Sequence, residues 1–260
     1  MTTLPAVRVW EYYATILRRT WKTEVVLGLL QPLVFLLGMG LGVGSLVNSR
    51  QSSVDALGGV PYVSFLAPGL LATTAMIVGS FESTYPVMAG FKWQGFFEAM
   101  AATRLSPMQI VRGLFLWLAT RIGIFVAGVG VVLALFPDTR SWGLVLAVPA
   151  AVLCGLSFAA VIAAYAAVCE YDASFNYVQR FIITPLFLFG GAFYPIESLP
   201  VGLRPIAWVT PLWHGVELCR GFSLHTMGFV TALGHLAVIV AYIAVGIVIC
   251  RRLFIRRLYR

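Results

Sequence analysis

FEAMAATRLSPMQIVRG, residues 97–113, interrupts a chain that is otherwise dominated by apolar residues. On either side lie Tyr62–Ala89 and Leu114–Phe136, long apolar runs that carry one charge each, Glu82 and Arg121. The interruption holds Glu98, Arg104 and Arg112, a Ser106-Pro107 pair and a closing Gly113. Glu98–Leu105 is built from good helix formers, and Ser106 then fits an N-cap with Pro107 at the first position of a new helix. A short helical connector is therefore expected, and the runs it joins read as two antiparallel helices.

Composition says what those helices lie in. Of 260 residues, 60% are hydrophobic and only 11% are charged, with a mean hydropathy of +0.91. Soluble domains carry about 25% charged residues. Ten acidic and eighteen basic residues cannot cover a soluble surface of this length, so the chain reads as an all-α integral membrane protein. The net charge of +8 does not point to nucleic acid, because the basic residues flank apolar segments and do not gather on one face. The first 22 residues are charged and have no continuous apolar core, so no cleavable signal peptide is expected.

A membrane-crossing helix needs about 20 mostly apolar residues. Besides the two runs above, Val25–Val47, Trp142–Val168 and Gly228–Cys250 meet this, and Asn176–Tyr194 makes a shorter sixth span. With six spans and the N-terminus inside, fourteen Lys and Arg fall on the cytoplasmic side, among them Lys92, Arg104, Arg112 and the tail arginines. Four fall outside: Arg50, Arg140, Arg204 and Arg220. This satisfies the positive-inside tendency and places both termini in the cytoplasm. A seventh span through Ile206–Phe222 would reverse the tail, so that region reads as an outer re-entrant helical hairpin bounded by Pro195, Pro200, Pro205 and Pro211. The expected organisation is an interfacial elbow helix (1–24), a six-span domain (25–250) and a basic tail (251–260). Within the domain lie a connector at about 94–112 and the re-entrant region at about 195–224.

In the elbow, Val7, Trp10, Tyr13, Leu17 and Trp21 recur at helical spacing, with Arg8, Glu11, Arg18 and Lys22 on another face. With no soluble core in prospect, its aromatic face is expected in the inner membrane interface. Gly38 with Gly42, and Gly40 with Gly44, are overlapping small-xxx-small pairs that let a helix approach closely, from the same chain or from a second subunit. Glu82 and Arg121 fall at matching depth, roughly 10–12 Å from the inner ends of their spans at 1.5 Å per residue. An ion pair is expected between them, either holding the helices or also lining a substrate path.

No catalytic constellation is apparent. His214, His225 and His235 show no HExxH spacing and no facing pair. Cys154, Cys169, Cys219 and Cys250 form no CxxC and read as packing residues. There is no GxxxxGK[ST] phosphate loop, so any energised work must draw on another chain. An intramembrane lipid-modifying transferase using the polar Trp208–Arg220 segment is the alternative. A passive channel lacks the polar stripe it would need.

FLAPGLLA (65–72), FESTY (81–85), FFEAMAATRLSPMQIVRG (96–113), LWLATR (116–121), FLFGGAFYPIESLP (187–200) and TPLWHGVELCRG (210–221) occur in an order that resembles the permease subunits of type-2 ATP-binding-cassette exporters. Within these the chain is most similar to the lipo-oligosaccharide branch that includes nodulation-factor exporters. The resemblance implies an elbow helix, six spans and outer re-entrant helices in the bacterial plasma membrane. It implies a second permease half, identical or paralogous, and a pair of cytoplasmic ATPase subunits that carry ATP and magnesium, this chain holding no cofactor. The loop between spans two and three would dock on the ATPase, giving Glu98, Thr103, Arg104, Pro107 and Gly113 to a coupling helix. Where the family often has Thr-Pro, this chain has Thr103-Arg104 and carries its proline at 107. The cargo implied is an amphiphile, a lipid-linked saccharide or a hydrophobic drug, moved outward.

Overall fold

The structure, a computed structural model, describes residues 5–259, apart from the side chains at 23, 25–29 and 41. Residues 1–4 of the expected elbow and Arg260 of the tail lie outside the described residues. The described residues form helices joined by turns and loops, with no strand among them. Among the described residues five helices are long and apolar enough to cross a membrane: Leu30–Asn48, Tyr62–Lys92, Pro107–Leu135, Leu144–Val168 and Phe229–Leu258. The segment expected as a sixth forms a 17-residue helix over residues 173–189, with π-helical turns at Gln179–Ile183. At 1.5 Å per residue that is about 25 Å, at the short end of what a bilayer core requires.

The N-terminal helix, Pro5–Phe35, runs without a break through the expected elbow boundary at residue 24. No proline or glycine pair interrupts it until Pro32, which lacks the N–H for one ladder bond; π-helical turns follow at Leu36–Val43, where glycines remove side-chain constraint. Part of its apolar and aromatic face packs on protein. Val9 and Tyr13 are buried against helix Pro107–Leu135, Tyr13 stacks on Trp117 at 5.3 Å, and Trp10 Nε1 donates to Thr120 Oγ1 at 3.0 Å. Gly113 permits the approach: a Cβ there would stand 2.5 Å from the Ala6 carbonyl. Trp21 and Ile16 remain exposed.

Tyr62–Lys92 is the central helix, 83% buried over its apolar window. It breaks at Ser83–Thr84, because Pro86 has no N–H to offer the Glu82 carbonyl four residues earlier. The alanine-rich Leu144–Val168 lies beside it. Between helices in lipid no hydrophobic force operates, so close packing of small residues must hold them. Gly79 and Gly155 meet backbone to backbone, and Gly246 of the last helix abuts Ala160. Helix Pro211–Ser223 wedges into the same cluster, where Gly215 fits against Cys154. Its 13 residues are too few to span. Phe229–Leu258 lies at the margin, with only Ile239, Gly246, Cys250 and Phe254 buried.

Candidate functional site

Two places combine charge with an unusual position. The first is the connector. Gly95, with φ +60, turns the chain into helix Phe96–Ala101, which is shorter than the expected 98–105. Ser106 then caps helix Pro107–Leu135: its N–H donates to Gln109 Oε1 at 2.8 Å while its hydroxyl accepts from Gln109 N. Glu98, Thr103 and Arg104 are exposed on the outer side of this hook. Pro107 and Gly113 are not on it; they belong to the long helix that follows, Pro107 as its first residue and Gly113 as the crossing point with the N-terminal helix.

The inner side of the hook is aromatic. Phe96 stacks on Tyr12 at 5.0 Å and meets Tyr13 edge-on at 5.6 Å. Phe97, fully buried, packs on Phe91 at 4.6 Å and on Phe254 of the last helix at 5.2 Å. Gly90 lies under both rings, close enough that any side chain there would displace them. The hook is thus clamped to the first helix through one ring and to the last through the next.

The second place is within the helices. Arg121 Nε donates to Glu82 Oε1 at 2.9 Å, and Arg121 Nη1 also pairs with Glu24 Oε2. The guanidinium lies 5.2 Å from the Phe125 ring centroid. Equal depth along two spans brings Glu82 to Arg121; the third partner, Glu24, was missed, although an acid beside the start of the first apolar run was a usable signal. Glu82 also lines a cavity of 560 Å³ with Gln31, Phe35, Thr73, Thr74 and Phe187. Four helical segments contribute to it, those containing residues 31, 73, 125 and 187. Its walls are apolar with a few hydrogen-bonding groups, which suits an amphiphile.

The glycine pairs separate. Gly40 and Gly44 pack on Val63 and Tyr62 of the same chain, whereas nothing described stands within 4 Å of a Cβ at Gly38 or Gly42. All four cysteines are free and buried.

A further polar cluster was not legible. His214 and His235 do face each other, with Nδ1 to Nδ1 at 2.8 Å, although they are 21 residues apart and no motif joins them. His214 Nε2 lies 2.9 Å from the Trp208 carbonyl, which only accepts, so Nε2 carries the proton and Nδ1 accepts from His235. Burial first, then His235, push His214 below its ordinary value of 6.5, against a weaker opposing pull from Trp208 and Glu217. The unfolded chain therefore takes the proton first as pH falls. The link is complete above pH 6.5 and is lost as pH drops through the lowered value. Thermal unfolding in detergent is expected to show about 1 kcal/mol of stability lost on acidification, and His214→Gln should flatten that dependence. An unchanged profile in the variant would count against the pair. Beside it, Arg220 is held by Glu217 at 2.8 Å and the Gly191 carbonyl at 2.8 Å, over the Phe65 ring.

Comparison with known proteins places this arrangement. The sequence profile of the family described as ABC-2 type transporter matches residues 9–224. Nodulation protein J of Rhizobium leguminosarum bv. viciae is 32% identical, over 100% of this chain and 99% of its own. Nodulation protein J of Rhizobium leguminosarum bv. trifolii is 34% identical, over 92% and 90%. The inner membrane transport permease YadH of Escherichia coli (strain K12) is 24% identical, over 92% and 94%. A match to 216 consecutive positions, with full-length relatives above 30% identity, assigns the membrane-embedded chain described above: it belongs to the ABC-2 type transporter family.

Proposed function

We propose that this chain is the permease of an exporter driven by a separate ATPase, moving an amphiphile outward through a path to which the 560 Å³ cavity belongs. The observation that carries the reading is the clamped hook. Glu98, Thr103 and Arg104 are free to meet a partner, while Phe96 and Phe97 tie the hook to the first and last helices. In this reading a pair of cytoplasmic ATPase subunits binds ATP and magnesium and closes. The closure shifts the hooks, and the permease changes between two arrangements that differ in their affinity for cargo.

Residues 173–189 serve as a short fifth span, giving six in all with residues 195–224 as an outer re-entrant hairpin and both termini in the cytoplasm. The distribution of basic residues supports this orientation in the bacterial plasma membrane. A second permease half, identical or paralogous, covers the open Gly38 and Gly42 face. The resemblance to the lipo-oligosaccharide branch, with relatives named nodulation protein J beside it, supports a lipid-linked saccharide over a drug as cargo.

Glu98→Lys with Arg104→Glu is expected to leave the permease folded, since both side chains are exposed, and to lower transport in inverted vesicles at least tenfold. A loss of that size corresponds to about 1.4 kcal/mol of docking energy. Loss of co-purified ATPase with unchanged thermal stability is the supporting result; full transport in the variant would sink the docking assignment.

A further inference from the structure

A second, larger cavity of 860 Å³ lies elsewhere in the fold and shares no lining residue with the first. It is a groove between helices Leu144–Val168 and Phe229–Leu258, floored by Leu218 and Phe222 and walled by Leu146, Leu153, Leu233 and Leu236. Its walls belong to two membrane-crossing helices, so the solvent at its opening is lipid. At one end Trp142 and His225 also line a neighbouring pocket of 420 Å³ with a more polar lining, containing Asp138, Arg140, Ser64 and Ser223.

That pocket is built. Ser64 Oγ donates to the Asp138 carbonyl at 2.7 Å, and Ser141 Oγ donates to the Ser223 carbonyl at 2.7 Å, pinning the 136–143 connection to two helices. Ser223 is 6% exposed, and its own hydroxyl has no hydrogen-bond partner among the described residues. Neither Asp138 nor Arg140 belongs to an ion pair among them. One end thus offers a carboxylate, a guanidinium and an unsatisfied hydroxyl; the other offers an apolar trough open to the membrane.

We infer that the two cavities form one binding site for a phospholipid with a zwitterionic, amine-bearing headgroup. The acyl chains lie in the groove, the phosphate meets Arg140 and the Ser223 hydroxyl, and the ammonium meets Asp138. A purely anionic headgroup would leave Asp138 facing the phosphate, and a headgroup-free diacylglycerol would leave both charges unused. The site is independent of the transport reading, since it concerns retained lipid on a different part of the chain.

The test is lipid retention by the delipidated full chain, measured by native mass spectrometry. The probes are dioleoylphosphatidylethanolamine, dioleoylphosphatidylglycerol and dioleoylglycerol, offered separately. The ethanolamine lipid should be retained about tenfold over the other two. Arg140→Gln should remove that preference, Ser223→Ala should weaken it, and Asp138→Asn should raise retention of the glycerol headgroup. Leu233→Trp should fill the groove and lose all three lipids at unchanged thermal stability. Equal retention of the three lipids would overturn the inference, as would retention unmoved by Leu233→Trp. So would a Leu233→Cys cross-link between two copies, which would make this face a protein interface.

Discussion

Arg121→Gln will abolish transport and cost about 3–5 kcal/mol of stability, the usual effect of removing one partner from a buried charge cluster. The guanidinium is 11% exposed and serves two carboxylates, Glu82 at 19% and Glu24 at 30%. Without it those acids face each other in a mostly buried site, and neither has another ion-pair partner among the described residues. Neutralising all three, with Glu24→Gln, Glu82→Gln and Arg121→Gln together, should recover most of the stability, because an uncharged cluster needs no counter-ion. Transport by the triple variant then separates two roles. If it returns, the cluster only holds three helices together; if stability returns alone, the charge at Glu82 acts on cargo in the cavity it lines. Thermal unfolding in detergent and uptake into inverted vesicles are the two measurements. A single Arg121→Gln variant within 1 kcal/mol of the parent would contradict the account.

Gly155→Val should do comparable harm by a different route. A Cβ at 155 would stand 2.6 Å from the Ala75 carbonyl oxygen and 2.9 Å from its carbon, and one turn along the same helix Gly79 meets the Gly155 carbonyl. Both obstacles are backbone, so no rotamer can yield and the helices must separate. Overpacking usually costs about 1–3 kcal/mol and more where backbone must move. Here helices Tyr62–Glu82 and Leu144–Val168 also hold Pro211–Ser223 between them, so the whole cluster loosens. The expected result is little or no folded protein in the membrane fraction. Gly234→Ala is the control: nothing stands near a Cβ there, and alanine favours the helix. Accumulation of Gly155→Val at the level of Gly234→Ala would dismiss the backbone crossing.

Particular residues show where sequence reading stops. The Ser106-Pro107 restart is local: a hydroxyl and a ring with fixed φ act on their own backbone, and the cap with Gln109 needs no distant partner. Glu82 and Arg121 could be brought together because antiparallel neighbours of known rise share a depth scale. Glu24 escaped that arithmetic because its helix runs unbroken from Pro5 to Phe35, so nothing local marks where it enters the membrane. Gly113 looked like the end of a connector and is the floor of a helix crossing, since glycine at a junction and glycine under another backbone leave the same letter.

The N-terminal aromatic face makes the same point. Its periodicity marks a helix and an apolar side, but not which part of that side packs on helix Pro107–Leu135, where Trp117 stacks on Tyr13 and Thr120 accepts from Trp10. By itself the sequence determined a helical membrane chain, the polar hook between its second and third apolar runs, and the absence of a phosphate loop of its own. Those properties follow from the hydrocarbon solvent and from neighbours along the backbone. Only tertiary structure decided that His214 meets His235, that Gly40 is used while Gly38 stays open, and that Arg121 answers to two acids. Each depends on the rotation of one helix against another, which is set by side-chain fit across the whole bundle and leaves no local trace.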